Sequence, residues 1–437
     1  MKLARETKFV QRECKKITPS EFFDLCLFSK TNINEISLNS LTKTHEIDTK
    51  KGISNQALNE RFNENSVEFL KALMKLLLSK IILETKKDNI IELDFFETVR
   101  IKDSTCFLIS DNMITVYNSS NKADCTLSII RIQFEYDLKT GVIYDLTLQA
   151  SAKQDKTDAL VTVENINKND LIIRDLGYFI ISVLSTIINK GAYFLSRFDF
   201  HCNAYETEES KEPIDFVKIQ TYLKKYNLHS IEKKVFIGQK ERLPVRMIID
   251  LLPENEVEKR LRKLKQKESR KSCQYSNELK ARRSLNVYIT NIPIEILPTK
   301  KVRSLYRLRW QVELVFKVWK SIGKIDLVNK VKIERFETML YARLILILLY
   351  WMIFNRIKNN LWYNEKKYLS ILKTFKTLID SIEKIKTVIK QGVEALKELM
   401  KTLINIICKK DILNKKNNNL TSVEIMCMFW LKAPKNK

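Results

Sequence analysis

From Tyr306 to Lys320 the chain reads Tyr-Arg-Leu-Arg-Trp-Gln-Val-Glu-Leu-Val-Phe-Lys-Val-Trp-Lys, and this stretch restricts the fold more than any other. Read as a helix at about 100° per residue, it stacks Leu308, Val312, Val315, Trp319 and Ile322 on one side. A stripe of that kind must be buried, so the helix belongs to a packed layer. Tyr306, Arg309, Glu313 and Lys320 fall on the other side, within roughly 60° of one another. A single carboxylate flanked by two cations and a phenol suits a site that holds a metal ion and a polyanion together.

The rest of the chain favours a polyanion. Lys and Arg number 77 against 52 Asp and Glu, a net charge of +25 over 437 residues. Such a field attracts nucleic acid or an anionic surface, and the cations are spread along the chain rather than gathered in a tail. A genomic bias toward Lys and Asn would not by itself break the balance of acids and bases. Apolar residues make up 45%, enough for a large core and against global disorder. No pair among the eight cysteines has the close spacing of a zinc knuckle or a redox motif. Scattered thiols fit a reducing cytoplasm. The first residues, Met1 to Glu6, lack the apolar run of a signal peptide. The most hydrophobic segment, 339–354, contains Arg343 and is shorter than the roughly 20 residues of a membrane span. It is expected to be a core helix.

Residues 1–90 read as a basic helical domain. Ser54, and Asn65 or Ser66, are candidate N-caps of two helices that form either a helix-turn-helix or part of a plain bundle. From 91 to 200 strands dominate. Residues 96–104 read as a first strand. A hairpin alternates over 127–137 and 142–148 around Lys139-Thr140-Gly141. A strand–helix–strand unit follows over 170–197. Together these predict a mixed α/β sheet with helices on its faces. Residues 201–285 read as an inserted basic subdomain with little strand periodicity; 259–283 carries eleven Lys and Arg and two Glu. The sheet resumes at Leu285, within a second core segment over 286–360. A helical region, 361–437, is expected to dock on the core or to mediate self-association.

Three acids stand at positions where rigid elements hold a side chain in place. Asp103 is expected to end the first strand, Asp175 to follow the strand 171–174, and Glu313 to project from the amphipathic helix. Carboxylates are hard ligands of the kind Mg²⁺ takes alongside water and phosphate. Read alone, each acid is equally a turn former, a cap or half of a solvated ion pair.

The spacing Tyr306-x2-Arg309-x3-Glu313-x6-Lys320 resembles the Tyr-Arg-Glu-Lys signature of the IS-four family of insertion-sequence transposases. Asp103-Ser104-Thr105 and Asp175-Leu176-Gly177-Tyr178 resemble the family's blocks around its two catalytic Asp, with Leu176 in place of the usual Arg. Thr290-Asn291-Ile292-Pro293 is similar to the segment before the signature. The likeness spans about residues 50–350. It implies an RNase H-like DDE core with a β-rich insertion, and Asp103, Asp175 and Glu313 as the metal-binding triad. It further implies two Mg²⁺ ions (Mn²⁺ being an alternative), with Tyr306, Arg309 and Lys320 on transposon-end DNA. The partners implied are end DNA, target DNA and a second copy of the chain, with no membrane and a place in the bacterial cytoplasm near the nucleoid. Tyr288, on the preceding strand, is a candidate to stack on an unpaired base. The expected activity is hydrolysis at the element's ends followed by strand transfer. The alternatives are a non-catalytic DNA-binding descendant, which a lost triad acid would have favoured, and a nuclease on the same core.

Overall fold

The computed structural model describes residues 1–12, 16–28, 37–87, 95–119, 127–271, 274–328, 330–365 and 367–413. Four of the cysteines named by the sequence, Cys14, Cys125, Cys273 and Cys427, lie outside the described residues.

The strands are β1 (Val99–Leu108), β2 (Ile129–Asp137), β3 (Ile143–Ala150), β4 (Leu171–Arg174), β5 (Tyr193–Arg197), β6 (Ala204–Tyr205), β7 (Ser230–Ile237), β8 (Leu243–Leu251) and β9 (Leu285–Thr290). They form one nine-stranded sheet in the order β3-β2-β1-β4-β5-β9-β8-β7-β6. β1, β4 and β5 run parallel, whereas β2–β3, β5–β9 and β6 to β9 pair antiparallel. The run 3-2-1-4-5 with parallel β1, β4 and β5 is the RNase H-like arrangement, so the expected α/β core is present.

The helices are α1 (Lys2–Glu6), α2 (Pro19–Leu27), α3 (Leu38–Thr49), α4 (Asn55–Arg61), α5 (Glu64–Lys87), α6 (Asp155–Thr162), α7 (Ile181–Asn189) and α8 (Phe216–Lys225). They continue with α9 (Glu254–Lys271), α10 (Asn277–Arg283), α11 (Thr299–Tyr306), α12 (Trp310–Ser321), α13 (Ile333–Glu365), α14 (Ile371–Asp380), α15 (Ile382–Gln391) and α16 (Val393–Lys410). Two compact units result. One contains the described residues of Met1–Glu92, Ser104–Lys153 and Val312–Asn419; the other contains those of Leu93–Asp103 and Gln154–Gln311.

In the first unit the core forms around Trp319, 1% exposed, whose ring meets Phe134 of β2 edge-on at 4.8 Å. The hairpin β2–β3 closes where expected. Asp137 accepts from the backbone N–H groups of Lys139 and Thr140, and Gly141 takes a positive φ of +78° at little steric cost. Trp351 of α13 donates to the Gly141 carbonyl at 3.0 Å. The apolar segment 339–354 lies inside α13, whose most apolar window is 78% buried. Tyr350 and Phe354 of that helix pack against Phe375 of α14. Ser54 caps α4 as expected. The cap of α5 is Asn63, not Asn65 or Ser66: Asn63 and Ser66 exchange side chain-to-backbone bonds. The capping exchange begins two residues earlier because Phe62 is fully buried against Phe22 and fixes the turn.

The second unit holds the parallel strands. Its register pairs Val99 with Leu171 and Lys102 with Arg174. Arg100 and Asp170 are ion-paired at 3.2 Å with side chains 1% and 2% exposed. Asp170 also accepts from Thr98 at 2.6 Å and from the Asn167 N–H at 2.9 Å, so both oxygens of the buried carboxylate have partners. Residues 201–285 are richer in strand than their periodicity suggests, in agreement with the β-rich insertion that the resemblance implies. They contain β6, β7, β8 and three helices, and their strands continue the main sheet beside β9. The long β7–β8 hairpin escapes a periodicity search because Lys233 and Lys234 sit side by side in β7, while β8 is buried on both faces over Val245–Ile249 and carries Arg246 within that buried run. Glu232 of β7 meets Arg246 of β8 through two bonds of 2.8 Å and accepts from Thr299 at 2.5 Å. The hairpin is thereby tied to the first residue of α11.

Candidate active site

Asp103 does not end its strand: β1 runs five residues beyond it. The strand continues because Thr105, Phe107 and the residue that follows the strand, Ile109, are buried and hold it to the fold of the first unit. Asp175 follows β4 directly, as expected, and starts a short 3₁₀ turn over Leu176–Tyr178. The parallel register that ends at Lys102–Arg174 sets these two acids level, each one residue further along. Beneath them, Lys102 is fully buried and paired with Asp158 of α6 at 2.5 Å. Lys102 and Arg174 both reach the Thr162 hydroxyl at 3.4 Å. Cations on one face of the paired strands thus leave the carboxylate of Asp103 to the other face, since neighbouring strand residues alternate.

Both acids converge on one guanidinium. Arg309 donates from Nη1 to Asp103 Oδ2 at 2.7 Å, and its Nε lies 3.8 Å from Asp175 Oδ1. Its side chain is 10% exposed, against 19% for Asp103 and 44% for Asp175. Arg309 closes a 3₁₀ turn, Arg307–Arg309, that separates α11 from α12. The single helix expected over 306–320 is therefore two helices and a tighter turn. The predicted apolar stripe survives the break: Leu308, Val312, Val315 and Trp319 are all buried.

The outer face of α12 is centred elsewhere than expected. Trp310 is 60% and Leu314 40% exposed, with Lys317 and Ser321 on the same face. Glu313, in the first turn of α12, and Lys320, in the last, are half-buried. The Lys320 ammonium donates to the Cys106 carbonyl of β1 at 3.1 Å. Tyr306 is 6% exposed and its ring lies 5.3 Å from that of Tyr288. Burial, offset in part by Arg309, pushes its phenol well above the usual tyrosine range, so the hydroxyl stays protonated. Its oxygen has no hydrogen-bond partner among the described residues. Tyr288 is itself 5% exposed; its ring is occupied by Tyr306 and is not open to a stacking base in this arrangement.

The structure therefore brings Asp103, Asp175, Arg309, Tyr306 and Tyr288 into one unit. It sets Glu313 and Lys320 together on one margin of α12 in the other. Sequence reasoning missed Lys102 and Arg174, whose charges at strand positions were the available signal, and their neighbour Asp158 on α6. Among the described residues no group of three acidic, histidine or cysteine side chains is gathered tightly enough to hold a metal. The pair Asp103–Asp175 nonetheless fits a divalent cation in donor chemistry. Its hard carboxylate oxygens are already drawn together around positive charge.

Residues 94–349 match the family described as the transposase DDE domain. The chain belongs to the DDE transposases. The transposase for insertion sequence element IS231F of Bacillus thuringiensis subsp. israelensis is 33% identical over 417 residues, 92% of this chain and 86% of the relative. The IS1151 transposase of Clostridium perfringens is 30% identical over 99% of this chain and 94% of its own length. Among solved structures, the piggyBac transposase synaptic complex with hairpin DNA aligns at 10% identity and a TM-score of 0.42. That alignment covers 97% of this chain and 83% of that one.

This DDE transposase carries a second polar feature on α9. Lys259, Arg262, Lys263, Gln266, Lys267 and Arg270 are all exposed and recur at the three- and four-residue steps of one helix face. Lys259 and Arg262 are paired with Glu256 at 3.0 Å and Glu258 at 3.4 Å. Lys263, Lys267 and Arg270 have no acidic partner among the described residues. The opposite face is fixed by buried Leu264 and by Arg260, which donates to Asn286 of β9 at 3.0 Å.

Proposed function

We infer that the chain is the transposase of an insertion sequence, binding the element's terminal inverted repeats and carrying out metal-dependent strand cleavage and strand transfer. The observation that carries this reading is the Asp103–Asp175 pair, held level by the β1–β4 register inside a DDE domain that spans residues 94–349.

Asp103, Asp175 and Glu313 would hold the divalent ions, two Mg²⁺ in the full site. When bound, such ions activate a water and stabilise the leaving oxygen of a displacement at phosphorus. The chain's own contribution is to place and orient. The buried Lys102–Asp158 and Arg100–Asp170 pairs fix the strands from which the acids project. Arg309 and Lys320 offer cations for phosphate oxygens, Arg309 as a planar fork. The protonated Tyr306 hydroxyl, which lacks a partner among the described residues, is suited to donate to an oxygen of the DNA. The stripe on α9 suits the phosphate backbone of a duplex, because lysine and arginine side chains read charge rather than base sequence. Two ends must be joined before strand transfer, so the working form would be a homodimer on DNA, acting in the bacterial cytoplasm. Target DNA would be the second substrate.

The test is end-specific cleavage. A duplex bearing the terminal repeat is incubated with Mg²⁺ and either the parent protein or Glu313→Gln. Nicking at the repeat boundary by the parent alone is expected, with the variant slower by at least about a hundredfold, as expected when a carboxylate that holds the ions is lost. Binding without cleavage by either protein would mark a non-catalytic DNA-binding protein instead. Cutting without regard to the repeat would mark a general nuclease.

A further inference from the structure

We propose that Arg309 is an exchangeable stand-in for the catalytic metal: it holds Asp103 and Asp175 together while the protein is free of DNA, and a DNA phosphate draws it off as the divalent ion enters. The inference rests on the reading of those two acids as metal ligands.

Three observations support it. The Arg309 guanidinium lies 2.7 Å from Asp103 Oδ2 and 3.8 Å from Asp175 Oδ1. A divalent ion bound to Asp103 would stand within a few ångströms of that guanidinium, and like charges so close repel strongly at low exposure. Metal and arginine are therefore competitors for one pair of carboxylates. Second, Arg309 is only 9% exposed, so it is held there by partners rather than by chance on a solvated surface. Third, it closes the 3₁₀ turn that interrupts α11 and α12. Backbone bonding of that kind is weaker than in an α-helix and often marks a place where a chain can re-form.

The exchange balances charge on both sides. Before it, two carboxylates share one guanidinium and the DNA phosphate carries its own counterions. After it, the carboxylates hold a divalent ion and the guanidinium holds the phosphate, for which its planar fork is well matched. Metal and DNA should thus assist one another's binding, and the help must be reciprocal. The device would keep the acids from loading metal productively until an end is in place.

Mn²⁺ binding to the whole chain, followed by calorimetry and by the paramagnetic signal of the free ion, reads this without any turnover. Titrations are run with and without a pre-cleaved terminal-repeat duplex ending in a 3′-dideoxy nucleotide, which offers no attacking hydroxyl. For the parent, the duplex should tighten Mn²⁺ binding by roughly five- to a hundredfold, the usual range of coupling between sites. Arg309→Gln should bind Mn²⁺ more tightly than the parent in the absence of DNA, and the duplex should then add less than about twofold. Arg309→Met, which keeps the side chain's packing, repeats the measurement if the Gln variant does not fold. Equal coupling in parent and variant, or unaltered DNA-free affinity in the variant, would overturn the exchange. Asp103→Asn separates this failure from failure of the metal-ligand reading. It should abolish the tight Mn²⁺ site, and if it does not, the assignment of the acid itself is wrong.

Discussion

At the scale of single residues, buried charge does the work of alignment. Arg100 and Asp170 are almost wholly out of solvent, and Asp170 further accepts from Thr98 and the Asn167 backbone. Replacing both charges with apolar groups would cost little, but removing one leaves the other buried and uncompensated. Asp170→Ala should accordingly destabilise the protein by about 3–5 kcal/mol, read as a lower midpoint in urea with an unchanged slope. A loss below about 1 kcal/mol would mean that Arg100 finds another partner and that the pair does not set the register. None of this is legible in the sequence. Asp170 stands 70 residues from Arg100, and a charge inside a strand reads as a solvent-facing position until its partner is known. Asp103, Asp175 and Glu313 stand out as candidates in the sequence for a different reason. Their neighbours repeat a pattern of residue types at fixed spacing, which no long-range pairing can obscure.

At the scale of elements, periodicity succeeds where one face alone is buried and fails elsewhere. The β2–β3 hairpin, α7 and the apolar stripe of the signature helix keep their periods and are found where expected. The β7–β8 hairpin is missed because adjacent Lys233 and Lys234 break the period of β7, and because β8 is buried on both faces, so Ile248 blurs its alternation. The 3₁₀ turn at Arg307–Arg309 is invisible because the stripe continues across it. The cationic run of 259–283 is legible as charge but not as form. It is the solvent face of two docked helices, α9 and α10, and form determines what it can do. Lys263, Lys267 and Arg270 present their charges along one side of α9, so neutralising them should act on DNA binding as a unit. The triple change to Gln should lower the steepness of log K against log salt by about 2 to 3, at roughly 0.9 per phosphate contact released. Affinity should fall by the same factor for a terminal-repeat duplex and for one of arbitrary sequence, as backbone contacts demand. The measurement is fluorescence anisotropy across a salt series, and an unchanged slope would remove α9 from the DNA interface. Leu264, on the inner face, is left intact, so circular dichroism should show no loss of helix.

At the scale of the whole molecule, net charge couples assembly to substrate. Each chain carries +25, and two such chains brought together without a counter-charge repel over the distance of their shared surface. DNA supplies one negative charge per about 1.7 Å of helix axis, enough for a short duplex to reverse that repulsion. On the proposed function, joining two ends calls for two sets of the acids, and each chain of 51.5 kDa contains one Asp103–Asp175 pair. The protein should therefore be a monomer in dilute solution at moderate salt and assemble with DNA as two chains on two ends. Light scattering behind size-exclusion chromatography measures both states directly. High salt cuts in opposite directions for the two terms. It screens the repulsion between free chains, with a Debye length of about 3 Å at 1 M, and it strips the DNA away. If charge controls assembly, the dimer fraction with DNA should fall as salt rises, while the free chain should show no more than weak self-association. A free dimer at every salt concentration would instead place the joining surface in an apolar interface that needs no DNA.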